Sequence, residues 1–190
     1  MMIVNPLEDR LLTAPHDPEV AQRMARLRAL GLGLQQPDPE FDEFAAKLAH
    51  ITKAPYAMVN FVGDQGQYFA GLYTPAASQA SALQAAQVST HADPGREMAL
   101  DHGFCPHVVV RRKALVLDDV CDYPRFAGNP VVDKLGIRSY LGAPLIDRTG
   151  TALGTVCVVD TEARPWGRPG LNTIKTLAAE LTELIHQRES

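Results

Sequence analysis

The most constraining feature of the sequence is a pair of apolar runs, Ser139 to Ile146 and Ala152 to Val159, joined by Asp147-Arg148-Thr149-Gly150. Two strand-length runs around a Gly-containing link predict a β-hairpin. Ala57 to Val62 and Gln67 to Leu72, joined by Gly63-Asp64-Gln65-Gly66, predict a second one. Hairpins pair antiparallel, and no strand–helix–strand alternation is present, so the pattern points away from a nucleotide-binding parallel sheet.

Helical periods flank these hairpins. Asp17-Pro18-Glu19 precedes Val20, Met24, Leu27 and Leu30, and Asp38-Pro39-Glu40 precedes Phe41, Phe44, Ala45 and Leu48. In each, the Asp is predicted to cap the helix, with Pro in the first turn and Glu against its positive end. Gly31-Leu32-Gly33 and Pro37 separate the two. A third helix is expected over residues 170–188, with Ile174, Leu177, Leu181 and Ile185 on one face. Asn129-Pro130 is expected to cap a short helix that Gly136 stops. Phe104 to Val110 and Ala114 to Leu117 read as further strands, for about six in all, and 118–126 is turn-rich. Residues 74–95, rich in Ala, Ser, Gln and Thr, read as a surface insertion or long loop. Helices at the ends and hairpins between them predict an α+β fold, an antiparallel sheet with helices on one face.

Charge and cysteine content narrow the function classes. The net charge is −4, and the longest basic run, Arg111-Arg112-Lys113, reads as a solvated strand end. Neither nucleic acid nor a membrane is an expected partner. The three cysteines, Cys105, Cys121 and Cys157, are widely spaced and lack a CxxC pair, so no disulfide framework is predicted. The N-terminus lacks signal-peptide character and no apolar run approaches twenty residues, which makes a cytoplasmic location the expectation. At 190 residues and 46% hydrophobic, the chain is able to bury a full core without metals.

Several motifs in order carry a family resemblance. They are Ala54-Pro55-Tyr56-Ala57, Phe104-Cys105-Pro106-His107, Asp118-Asp119-Val120-Cys121-Asp122-Tyr123-Pro124-Arg125-Phe126, Asn129-Pro130-Val131-Val132, Ile137-Arg138-Ser139-Tyr140-Leu141-Gly142-Ala143-Pro144-Leu145, Leu153-Gly154-Thr155-Val156-Cys157-Val158-Val159-Asp160 and Arg164-Pro165. Together they resemble a GAF domain of the subgroup found beside diguanylate cyclases and sensor histidine kinases. The resemblance implies a six-stranded antiparallel GAF-like sheet with the N- and C-terminal helices on one face. A roof of loops and short helices would cover the other face, with a small-molecule pocket beneath. It also implies residues 1–16 as a tail, 17–190 as a single, stand-alone domain, and homodimers through the terminal helices. Gly103 stands where the subgroup often has Ser, Ser139 where an aromatic is common, and the 74–95 insertion is longer than usual. The ligand therefore does not transfer from relatives.

The candidate ligand-binding positions are Cys105, His107, Asp119, Arg125, Phe126 and Tyr140, between the sheet and a roof formed by 91–103 and 119–136. On a strand, Cys105 and His107 would share a face. Arg125 offers a fork for a carboxylate or phosphate, or locks the roof loop by pairing with one of Asp118, Asp119 and Asp122. Cys105, His107, His91 and His102 match no familiar zinc spacing, so neither a metal nor a required cofactor is expected. No catalytic residue is assigned, as P-loop, dinucleotide and nucleophile-elbow motifs are all absent. The expected function is non-catalytic small-molecule sensing, passed to a signalling partner protein or across a dimer. Two alternatives stay open. One is thiol chemistry, either a reductase resembling free methionine sulfoxide reductase or a redox sensor at Cys121 or Cys105, with Cys157 read as inert core. The other is an interaction scaffold with a closed pocket.

Overall fold

The computed structural model describes residues 14–32, 35–75 and 94–189. Most of the expected tail and insertion, and His91, lie outside the described residues. The elements in chain order are α1 (Val20–Ala29), α2 (Pro39–Thr52), β1 (Tyr56–Val62), β2 (Gln67–Tyr73), β3 (Glu97–Met98), α3 (Cys105–Arg111), β4 (Leu115–Leu117), α4 (Pro124–Ala127), α5 (Pro130–Leu135), β5 (Ser139–Ile146), β6 (Ala152–Asp160) and α6 (Gly167–Glu189). The strands form one antiparallel sheet in the order β3-β2-β1-β6-β5-β4. Both predicted hairpins are present, β1–β2 and β5–β6.

Strand alternation divides the sheet into two faces. Ala57, Val59 and Phe61 of β1 and Leu141, Ala143 and Leu145 of β5 point to the face covered by α1, α2 and α6, where they meet Leu27, Phe41, Leu48, Ile174, Leu177 and Leu181. Tyr140, Cys157 and Val159 point to the other face, under α3 and the 120–137 segment. The helix and roof layers predicted from the family resemblance are thus in place.

Local rules account for most boundaries. Asp38 accepts hydrogen bonds from the Glu40 and Phe41 amides, and Pro39 opens α2. Asn129 caps α5, and Gly136, at φ 69°, ends it in the left-handed region. Asp17 departs from expectation. Helix α1 starts at Val20 without a side-chain cap. Asp17 accepts from the Glu19 amide at 3.2 Å, just ahead of the helix, and pairs with the fully buried Arg23 at 2.5 Å. That guanidinium also donates to the Ala152 carbonyl at 2.6 Å, anchoring α1 on β6.

The stretch from Phe104 to Val110, predicted as a strand, is instead helix α3. Pro106 in its first turn forgoes no useful donor and pre-sets φ, and this outweighs the β preference of Val108-Val109-Val110. The sixth strand is the two-residue β3. The apolar face of α6 is used on the sheet, while Lys175, Thr176, Glu180 and Glu183 on its outer side are exposed. No described helix is long and apolar enough to cross a membrane.

Candidate functional site

The site begins at Gly103, whose φ of 77° belongs to the left-handed region that favours glycine. The Asn129 side chain grips this turn, accepting from the Gly103 amide at 2.8 Å and donating to its carbonyl at 2.9 Å. One residue therefore caps α5 and ties it to the entry of α3. The turn drives Phe104 and Cys105 into the roof–sheet junction, where they are 1% and 5% exposed.

On a helix, residues two apart diverge by about 200°. Cys105 and His107 therefore do not share a face, contrary to the strand-based expectation. Cys105, Val108 and Val109 face the sheet and are buried. His107 turns toward the roof edge, its ring 5.3 Å from that of Phe126. Burial, and then the Arg125 and Arg111 charges, lower the His107 pKa to about 4. The imidazole is neutral at pH 7, with its buried Nδ1 unpartnered.

Three rings occupy the space between roof and β5. Phe104 packs edge-on against Tyr140 (centroids 5.2 Å apart) and against Phe126 (5.6 Å). Tyr140 lies along its own strand over Gly142, where an added Cβ would stand 2.2 Å from the Tyr140 hydroxyl. Glycine at 142 thus makes room for the ring to lie down. Each such aromatic contact adds roughly 0.5–1.5 kcal/mol beyond area burial.

Polar groups converge on one sulfur. The Tyr140 hydroxyl is 3.2 Å from Cys105 Sγ, Thr155 Oγ1 donates to it at 3.1 Å, and the Cys157 thiol lies 3.6 Å away. Burial pushes the Cys105 thiol up, but hydrogen bonds from Cys157, Thr155, Tyr140 and Asn60 outweigh it and leave the pKa below that of an ordinary thiol. The Cys157 pKa rises, because its thiol is hydrogen-bonded to Cys105 and is buried. Tyr140 also titrates well above a free phenol, first through burial and then through the two cysteines.

The other two predicted positions lie at the rim. Asp119 accepts from the Cys121 amide at 3.0 Å, capping the 120–122 turn, and pairs with Arg138 at 3.3 Å. The amide bond, followed by Arg138, holds this carboxyl below its usual range. The Arg125 guanidinium sits 5.6 Å from the centre of the Phe126 ring. Cys105, Phe126 and Tyr140 therefore come together in one buried cluster with His107 at its edge, while Asp119 and Arg125 do not enter it. Thr155 and Cys157 belong to the cluster and were missed as site residues. Their signal was the β6 alternation, which sets 155, 157 and 159 on one face. Among the described residues no group of three or more His, Cys, Asp or Glu side chains is arranged to hold a metal. A separate apolar recess of about 130 Å³ lies behind α3, lined in part by Pro15, Val62, Leu100, Pro106 and Val110.

A six-stranded antiparallel sheet with terminal helices on one face and a short-helix roof over a buried cluster defines the class, a roofed α+β domain. The GAF domain family model matches residues 36–185, and the chain belongs to the GAF family. It is 27% identical over 155 residues to a cyclic di-GMP phosphodiesterase of Pseudomonas aeruginosa, covering 81% of this chain but 23% of that protein. Its fold is similar to the GAF domain of an Acinetobacter phosphoenolpyruvate-protein phosphotransferase, with a TM-score of 0.56 and 15% identity over 87% of this chain and 94% of that one. It is also similar to the free methionine-R-sulfoxide reductase of Neisseria meningitidis, with a TM-score of 0.58 and 14% identity over 94% and 96% of the two chains.

Proposed function

We propose that this chain is a non-catalytic sensory GAF module in which a small, mostly apolar ligand acts by displacing the roof from the sheet. The observation that carries the reading is the convergence of Cys105, Phe126 and Tyr140, with Phe104, on one buried junction between α3, α4 and β5. Such a junction is where a ligand has differential affinity for two roof positions, which is the requirement for a population shift. The shift is read by a partner protein or by a second copy on the terminal-helix face. The activity named for the Pseudomonas relative lies outside this reading, because the match spans 23% of that protein.

A second reading is a closed scaffold, favoured by Tyr140, which already fills the space above Gly142. Fractionated cell extract separates the two in a thermal-shift measurement that also follows the aromatic NMR signals of Phe104, Phe126 and Tyr140. A fraction that raises Tm and moves these signals supports sensing. Unmoved signals across all fractions leave the scaffold. Cysteine-dependent, NADPH-coupled turnover of free methionine sulfoxide would replace both with the reductase alternative.

A further inference from the structure

The geometry points to Cys105 and Cys157 as a modification site, at which a hydroperoxide converts two buried thiols into an intrachain disulfide between the roof and the sheet. The inference goes beyond the sensing reading and stands without it, because it rests on the two sulfurs and the groups around them and on no ligand.

The two Sγ atoms are 3.6 Å apart. A disulfide requires about 2.0 Å, so closure needs roughly 1.5 Å of relative movement. Cys105 sits in the first turn of the seven-residue α3, and Cys157 in the middle of β6. Both thiols are free. The pair therefore spans two layers of the fold and joins residues 52 positions apart.

The surroundings assign different roles to the two sulfurs. Thr155 Oγ1 donates to Cys105 Sγ at 3.1 Å, and the Tyr140 hydroxyl lies 3.2 Å from it. Asn60 stands opposite Thr155 in the β1–β6 register and donates to Gln67 Oε1 at 2.8 Å, which adds to the polar character of this side of the sheet. Hydrogen bonds to the charged form favour that form, so Cys105 is the sulfur that ionises more readily and attacks. Cys157, in hydrogen-bond contact with Cys105 at 3.6 Å, has fewer such donors around it. It is placed to resolve the product of the first step.

The chemistry balances with a hydroperoxide as oxidant. The Cys105 thiolate attacks one peroxide oxygen, the O–O bond breaks, and the departing alkoxide takes up the proton the thiol had lost. The products are a sulfenic acid and an alcohol, or water when the oxidant is hydrogen peroxide. The Cys157 sulfur then attacks the Cys105 sulfur, the S–O bond breaks, and hydroxide leaves as water with the Cys157 proton. Two electrons pass from the two sulfurs to the peroxide. Burial restricts the first step to small oxidants, so glutathione disulfide reacts far more slowly than hydrogen peroxide.

The test uses the whole chain carrying Cys121→Ser, a change at an exposed residue that leaves the core intact. Stoichiometric hydrogen peroxide should remove both remaining thiols, lower the intact mass by about 2 Da, and yield a single linked peptide pair containing Cys105 and Cys157. Dithiothreitol should reverse all three changes. With Cys157→Ser added, oxidation should stop at a sulfenic acid, read as a gain of about 16 Da on the peptide containing Cys105. With Thr155→Val added instead, the first step should slow roughly tenfold through loss of one hydrogen bond to a charged sulfur. Circular dichroism confirms that each variant is folded. Two thiols surviving in folded Cys121→Ser protein would overturn the proposal, as would oxidation seen only after unfolding or only as intermolecular dimers.

Discussion

Replacing Tyr140 by Ala tests the filled junction directly. The ring is 1% exposed, packs edge-on against Phe104 at 5.2 Å, and presents its hydroxyl to Cys105 at 3.2 Å. Truncating a large buried aromatic residue costs about 3–5 kcal/mol, part from lost transfer energy and part from the cavity left behind. In a domain of this size that corresponds to a Tm roughly 6–20 °C lower. The new void is bounded by Phe104, Phe126 and Val159, and Cys105 remains to meet a hydroxyl. Phenol has the size and polarity of the missing group and should enter it, as small aromatics enter engineered apolar cavities. At ten times its Kd it should return about 1.4 kcal/mol. The assay is thermal unfolding of wild type and variant under reducing conditions, with and without phenol. A loss below about 1 kcal/mol, or a variant that phenol does not stabilise, would show that the ring is not filling this space.

Three further outcomes follow from the same packing. His107 is held neutral, so stability is full above the unfolded pKa of about 6.5 and falls as pH drops toward about 4. Urea unfolding of His107→Phe at pH 7 and pH 5 should remove roughly 1 kcal/mol of that acid sensitivity, after allowance for partial exposure, and equal pH dependence in the two proteins would refute the assignment. At Gly154, an added Cβ would lie 1.9 Å from the Asn60 carbonyl oxygen, so Gly154→Ala should destabilise by at least about 3 kcal/mol in denaturant titration; a near-neutral result would contradict the β1–β6 approach. Arg23→Met strands Asp17 and frees the Ala152 carbonyl, and should cost about 3 kcal/mol, whereas a change within 0.5 kcal/mol would mean the buried pair is not holding α1.

What was legible in the sequence was local. Asp38-Pro39, Asn129-Pro130 and Gly136 set their boundaries through backbone chemistry within a few residues, and these boundaries appear as expected. The Asp147–Gly150 link behaved the same way, with Gly150 at φ 80°. The reading failed where distant packing decided. Val108-Val109-Val110 favours a strand by propensity, yet Pro106 and burial against the sheet make it a helix. Asp17 meets the Glu19 amide before the helix begins, but its main partner is Arg23, buried by β6 and invisible to a capping pattern. Of the site, Cys105, Phe126 and Tyr140 were recognisable from family motifs, while Cys157 read as inert core because nothing near it in sequence signals a second sulfur 52 positions away. The role of Gly142 depends on where the Tyr140 ring lies, which no local rule specifies.

The most direct measurement is amide hydrogen exchange of the free protein, comparing the roof (104–111 and 120–136) with strands β5 and β6. A roof that moves for a ligand must open at lower free energy than the sheet beneath it. The amides of α3, α4 and α5 should exchange through local opening, well before global unfolding, while Leu141, Ala143, Val156 and Val158 should exchange only through global unfolding. Roof amides as protected as those of β5 and β6 would contradict it.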